Sequence, residues 1–323
     1  MKFYRNKKIF IAGGSGLVGT NLLIKLVSMS KKVNASYNKN IQIKKYKKFY
    51  KKYNFINYED CLKATKNKDI VFITAVKGSG ILNMKKNFDD NINYNFLIRS
   101  NLLKSCVANK VKKVLWVSSS TVYQPSKIKI KEKDLNLNID PYDIYLGTGW
   151  LYRYLEKLCL FYNQSKKMDI KILRTSSIYG PYDNFDDKKS HVIPALIKKS
   201  FNSKKNLEVW GDPAVVRDFV YVEDLVNAMI NFIPKKTKKI LNFSNGNPVS
   251  IRLLAKTILK ISRTNKKIIY KFKNRSSAIY RVLNNSNYNK NIKKIKRTTL
   301  EDGLKKTYEW LKKNKKRILK KQN

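Results

Sequence analysis

The chain predicts an α/β fold, a doubly wound parallel sheet with helices on both faces, on three observations. A short β-rich apolar run at residues 8–12 is followed at once by the glycine-rich stretch 13–19, then by Leu22, Leu23, Leu26 and Val27 at helical spacing. Further apolar runs at 33–37, 70–75 and 114–118 are separated by stretches long enough for the crossover helices that parallel strands require. The third observation is size: 323 residues, 42% of them apolar, supply the core of one large domain or two modest ones.

Taken in order, the first unit is the most informative. Gly13, Gly16 and Gly19 permit a tight turn, close approach of a pyrophosphate, and close packing of helix on strand, and the amides that open the helix would hold the anion. With a strand before it and a helix after it, this stretch predicts a Rossmann unit whose cofactor contacts are Gly13, Gly14, Ser15, Gly16, Leu17, Val18 and Gly19. The second strand ends at Ser36-Tyr37-Asn38-Lys39-Asn40, with no carboxylate to grip a ribose 2′-hydroxyl. Asn38 and Lys39 suit a 2′-phosphate instead, so NADP(H) is the expected cofactor and NAD the alternative.

Later elements follow the same alternation. A strand is expected at 170–175, an irregular stretch at 183–190 and a helix at 193–200. Short strands are expected at 207–210, 218–222 and 240–243, with helices at 222–232 and 251–261. The last helix, 300–313, is opened by Thr298 and Thr299, whose hydroxyls can cap its free amides, and the charged tail after Lys312 is expected to fray. The implied division is a Rossmann domain over 1–180, with 215–245 returning to it. A smaller C-terminal α/β substrate-binding domain takes 181–214 and 246–323, with the active site between the two.

Lysine plus arginine (70) against aspartate plus glutamate (22) gives a formal charge of +48. The lysines run evenly from Lys2 to Lys321, and only 44–52 and 312–321 are dense. That spread reads as a solvated surface and not as a specific nucleic-acid footprint, although it attracts anions at low salt. Cys61, Cys106 and Cys159 stand far apart without a CxxC, and His191 is the single histidine, so no metal site is expected. The apolar run 9–12 is too short for a signal-peptide core and nothing approaches a membrane span, which predicts a reduced, cytoplasmic protein with no membrane partner.

Several stretches carry a family resemblance: Ala75-Val76-Lys77-Gly78-Ser79-Gly80-Ile81, Ser118-Ser119-Ser120-Thr121-Val122-Tyr123, Tyr179-Gly180-Pro181-Tyr182-Asp183-Asn184-Phe185, Ser190-His191-Val192-Ile193-Pro194, Val209-Trp210-Gly211 and Arg217-Asp218-Phe219-Val220. Together with the G-x-x-G-x-x-G spacing they resemble the extended short-chain dehydrogenase/reductases, the NAD-dependent epimerase/dehydratases. Within these the chain is most similar to the GDP-L-fucose synthase family, over about residues 8–312. The resemblance implies an NADP(H)-dependent enzyme that epimerises GDP-4-keto-6-deoxymannose at C3 and C5 and reduces it at C4. It also implies a GDP-linked sugar as partner and a homodimer.

Residue by residue, the resemblance places Ser119 on the sugar C4 oxygen with Ser120 beside it, and His191 as an acid in epimerisation. Ala75, Val76 and Lys77 fall along the cofactor, Arg217 and Arg281 on the nucleotide diphosphate, and Asn184 and Trp210 along the substrate pocket. Thr121 stands where the family carries a cysteine, and threonine forms no anionic base near neutrality. For Ser119 the plainer reading is a hydroxyl that satisfies loop backbone, and for Arg217 an ion pair with Asp218 or Glu223.

The family's Tyr-x-x-x-Lys pair is not intact. Aligned on Tyr145, the expected proton donor, the lysine slot holds Gly149. Counted back from Cys159, the two slots hold Thr148 and Tyr152, and Arg153 is the nearest cation on that helix. Two further readings therefore stay open, an epimerase or dehydratase that recycles its cofactor and a catalytically silent nucleotide-binding relative.

Overall fold

The computed structural model describes residues 2–77, 88–165, 168–187, 189–201, 205–271, 280–292 and 295–319. Its centre is a parallel sheet of β1 (Ile9–Ala12), β2 (Val33–Tyr37), β3 (Tyr50–Lys52), β4 (Ile70–Ile73), β5 (Lys113–Ser119), β6 (Asp169–Thr175) and, from much later in the chain, β11 (Ile240–Phe243). The order is β11-β6-β5-β4-β1-β2-β3, so the winding reverses between β1 and β4. In open sheets of this kind a ligand binds beyond the strand ends at that reversal.

The strand residues explain the layers. Ile9 and Ile11 face one side, with α1 (Leu17–Leu26) and α6 (Val222–Phe232), while Phe10 and Ala12 face the other, with α2 (Tyr58–Thr65), α3 (Phe88–Ala108) and α4 (Leu146–Ser165). Every residue of β1 and β4 is buried, as a sheet covered on both faces demands.

A second core gathers Tyr179, Phe185, Ile193, Leu207, Leu254, Leu304 and Leu311. Around it stand β7 (Ser177–Tyr179) paired with β10 (Phe219–Tyr221), β8 (Asn206–Trp210) paired with β13 (Lys267–Lys271), and β9 (Val216–Arg217) between β12 (Val249–Ser250) and β14 (Tyr280–Arg281). The helices here are α5 (Val192–Ser200), α7 (Ile251–Ser262), the short α8 (Ser286–Asn291) and α9 (Leu300–Leu319).

Three expectations are corrected. The strand expected at 70–75 ends at Ile73, and Thr74 beyond it gives both its amide (2.9 Å) and its hydroxyl (2.8 Å) to the Ala12 carbonyl. The strand expected at 218–222 is Phe219–Tyr221, with Val222 already helical. Helix α9 continues past Lys312 to Leu319, held by Ile318 against the second core and by Lys315 over the Phe201 ring. The lysine-dense stretch 44–52 folds as a 3-10 turn and the edge strand β3, where Lys51 and Lys52 stay exposed and Tyr50 is buried.

Candidate active site

The glycine turn sits at the reversal point. Gly13 has φ +87°, and a Cβ there would lie 2.6 Å from the Ala75 backbone, while a Cβ on Gly19 would collide with the Gly13 carbonyl. Only hydrogen occupies the space between the first turn and the loop after β4. Gly16 caps α1 without a side-chain hydrogen bond, and its own Cβ direction is nearly open, so the first amides of the helix face outward. That cradle fits a dinucleotide pyrophosphate. Ser15, Leu17 and Val18 are half-buried around it, and Ser36 accepts the Gly13 amide at 2.8 Å.

Asn38 and Lys39 are exposed beyond the end of β2. Strand β3 brings Lys51 and Lys52 alongside, in register with Ser36 and Tyr37, a pairing that no local pattern in the lysine run announces. Across the reversal, Ala75 is buried, Val76 and Lys77 are exposed, and Asn95 of α3 binds the Lys77 backbone through N–H (2.8 Å) and C=O (3.2 Å). Gly78, Ser79, Gly80 and Ile81 lie outside the described residues.

Strand β5 delivers Ser119, whose oxygen accepts the Thr121 amide at 3.2 Å and caps a 3-10 turn over Ser120–Val122. The loop-satisfying role and an outward hydroxyl proton coexist, because that oxygen can accept there and still donate elsewhere. Ser120 is buried, as is Thr121, whose hydroxyl has no partner. Neighbouring β6 adds Thr175, in register with Ser119, then Ser176, and both hydroxyls are buried without partners. The Ser190 hydroxyl, Asp183 Oδ2, and Nε and Nη1 of Arg281 are in the same state. Buried polar atoms are normally paired, so the orphans Thr121, Thr175 and Ser176 at the ends of β5 and β6 point to a polar ligand there.

Tyr145 is buried in a 3-10 turn that leads into α4. The Arg281 guanidinium lies 4.5 Å from its ring centroid, and its hydroxyl accepts hydrogen bonds from Arg281 and Arg217. Burial alone would raise the Tyr145 pKa, but the charges of Arg281 and then Arg217 outweigh it and hold the phenol below its usual value. Arg217 is pushed down to about 10, first by desolvation and then by Arg281. The two arginines stand side by side because β9 and β14 pair in parallel with Arg217 opposite Arg281.

Asp218, next in sequence, points the other way and accepts the amides of Asn245 and Gly246, each at 3.1 Å. The expected alternative of an Arg217–Asp218 ion pair is not what forms. His191 is the exposed N-cap residue of α5, and desolvation followed by the Arg281 charge pushes its imidazole below its usual pKa. Both effects favour the neutral imidazole, the form that takes a proton. Tyr145, Arg217 and Arg281 thus meet, and the His191 imidazole feels the Arg281 charge. Asn184 and Trp210 are exposed, the latter beneath Lys199 Nζ (4.2 Å), and no described contact joins either to that group.

Neither alignment of the missing pair is rescued. A Cβ on Gly149 would meet Pro141 at 2.5 Å and the Thr121 carbonyl at 2.6 Å, so no side chain fits the slot. Tyr152 stacks on Trp116 and accepts from Arg99 (2.6 Å). Arg153 is buried on the carbonyls of Val122 (2.7 Å) and Ile139 (2.8 Å), which makes it scaffold. Among the described residues no group of side chains could hold a metal ion, and no helix is long and apolar enough to cross a membrane.

The "NAD dependent epimerase/dehydratase family" model matches residues 9–243, well over half of the chain. The chain belongs to that family and is an NAD(P)-dependent enzyme. It is 28% identical over 275 residues to the GDP-L-fucose synthase of Escherichia coli (strain K12), covering 79% of this chain and 84% of the relative. To the GDP-mannose 3,5-epimerase of Arabidopsis thaliana it is 24% identical over 317 residues, 95% of this chain and 82% of the relative. Among solved structures, the epimerase Mth375 of Methanothermobacter thermautotrophicus superposes with a TM-score of 0.87 at 21% identity, over 99% of this chain and 96% of that one.

Proposed function

We propose that the chain is an NADP(H)-dependent nucleotide-sugar epimerase/reductase. Its substrate is a GDP-linked 4-keto sugar such as GDP-4-keto-6-deoxymannose, epimerised at C3 and C5 and reduced at C4. The observation that carries this reading is the meeting of a buried acid, Tyr145, with two arginines on strands that approach the sheet from the second core, within the electrostatic reach of His191. Residues 1–180 and 215–245 hold the dinucleotide, and 181–214 with 246–323 hold the sugar nucleotide. Exposed Lys39, Lys51 and Lys52 at the end of β2 and β3 supply the charge that favours a 2′-phosphate.

In this reading Arg217 and Arg281 grip the diphosphate, where a guanidinium fork gives charge-assisted hydrogen bonds. Neutral His191 removes a proton from a carbon beside the C4 ketone, the Ser119 hydroxyl donates to the resulting enolate oxygen, and a solvent-derived proton returns to the opposite face of the carbon as the ketone reforms. Ser120, Asn184 and Trp210 border the sugar, and Thr121 assists only as a neutral hydroxyl. A bound nicotinamide supplies hydride for the C4 carbon, and the chain supplies the proton to the C4 oxygen from Tyr145. Exposed Leu97, Trp150, Tyr154 and Phe161 form an apolar strip on α3 and α4 that supports a homodimer, and the reading places the enzyme in the cytoplasm.

The filled lysine slot at Gly149 favours one second reading, an epimerase that returns its cofactor unchanged. GDP-4-keto-6-deoxymannose with NADPH in deuterated water separates the two. Stoichiometric loss of NADPH with deuterium at C3 and C5 is the expected result. Deuterium without NADPH loss establishes the second reading, and neither change on this sugar removes both.

A further inference from the structure

The absent lysine leaves open what governs the proton of Tyr145. That hydroxyl is buried, and the groups facing it come from two strands of the second core: Arg281 from β14 and Arg217 from β9. Behind them, Tyr142 lies near Arg217 and His191 near Arg281. Among the described residues no carboxylate is a cause of the Tyr145 shift, and none of the described ion pairs involves Arg281. Arg281 keeps Nε and Nη1 buried and unpartnered even while it donates to the tyrosine. Two guanidiniums on one phenol oxygen, with two Arg281 donors to spare, form a site rich in positive charge.

We propose that Arg217 and Arg281 are the cationic partners of Tyr145, and that a diphosphate seated on the same two guanidiniums competes for them and returns a proton to the tyrosine. The proposal rests on the diphosphate-binding reading given above. In the free protein the arginines favour the phenolate, and a bound dianion neutralises them and favours the phenol. At a pH near the free-protein midpoint, a proton is then drawn from solvent onto Tyr145 as the substrate arrives. The acid required at the C4 oxygen is loaded by the event that delivers the ketone, and after transfer the guanidiniums are again available to the phenolate once the product leaves. Linkage makes the effect reciprocal, so the diphosphate binds more tightly to the protonated form.

The ultraviolet phenolate signal of the full-length protein, titrated with pH and differenced against Tyr145→Phe, isolates this one tyrosine. We expect its midpoint in the free protein below the usual tyrosine value, and GDP to raise it by about one pH unit, a tenfold change in the ionisation equilibrium. Arg281→Gln should raise the free-protein midpoint in the same direction and weaken GDP binding about tenfold, with Arg281→Lys intermediate because it keeps the charge and loses the fork. GDP that binds without moving the midpoint overturns the proposal, as does a free-protein midpoint unchanged in Arg281→Gln. GDP that does not bind at all sinks the diphosphate reading instead, while the Arg281→Gln titration still decides whether the arginine governs the tyrosine.

Discussion

Two arginines, Arg174 and Arg281, show how one residue type becomes scaffold in one place and site in another. Arg174 is 3% exposed and makes three contacts to Glu156 at 2.6, 3.0 and 3.1 Å, with a fourth to the Tyr123 hydroxyl at 2.7 Å. Ser118 donates to the same carboxylate, and Tyr123 passes the chain of bonds to Asn242 on β11. Among the described residues Arg281 has no carboxylate partner, and two of its nitrogens are unpaired. The first network ties β5, β6, β11 and α4 together, and the second leaves its charge available to a ligand. Satisfaction, more than burial, separates them.

The largest effect should come from breaking the satisfied network. Arg174→Leu strands the Glu156 carboxylate in the core and should cost about 3–5 kcal/mol, read from the urea midpoint. Pairing it with Glu156→Leu should recover most of that loss, since the charge and its partner leave together. Arg281→Gln should change stability by less than about 1 kcal/mol, because Tyr145 can hold its proton once the charge is gone and no buried carboxylate is stranded. Equal losses at the two arginines would erase the distinction.

His191→Asn sharpens the same contrast on the chemical side. Removing a proton-transfer group should lower the rate of deuterium exchange at the sugar carbons about 100-fold or more, with GDP affinity and the thermal midpoint little changed. Desolvation and Arg281 hold the imidazole below its ordinary pKa, so the acid limb of the wild-type exchange profile should fall below the usual histidine value. Exchange that is lost as pH rises through the histidine pKa, in place of an acid limb, would show the imidazolium as the working form.

Much of the scaffold was legible in the chain because it is local. Residues 8–27 carry their strand, turn and helix in apolar spacing and glycine placement alone, and the 33–37, 240–243 and 222–232 elements fall where periodicity puts them. The site is less local. Arg217 and Arg281 share a surface only because two-residue strands pair in register, and strands that short leave no period to read. Strand β3 was hidden for a different reason. Its lysines look like any solvated run, and only Tyr50 faces inward. Asp183 could be seen in the sequence as part of a motif, but its burial depends on a loop that turns through Tyr182 at φ +71°.

Asp183 tests the boundary between the two regions at the smallest expected effect. Its Oδ1 accepts the Asn184 amide at 2.7 Å, while Oδ2 is sealed without a donor, and desolvation pushes the carboxyl up to about 7 from 3.8. An acid whose pKa is raised by folding holds its proton more tightly when folded. The stability it contributes is therefore complete below about pH 4 and lost as pH rises through 7. Asp183→Asn removes the charge and keeps an oxygen for the Asn184 amide. Its thermal midpoint should match wild type near pH 4 and exceed it by about 2 °C at pH 8, measured by paired melts across that range. A variant less stable than wild type at pH 8 would mean that the carboxylate has found a partner and belongs with Glu156. A stabilised variant that loses more than about tenfold in turnover would place Asp183 with Tyr145 and His191, where an unsatisfied group is kept at the expense of stability because the reaction uses it.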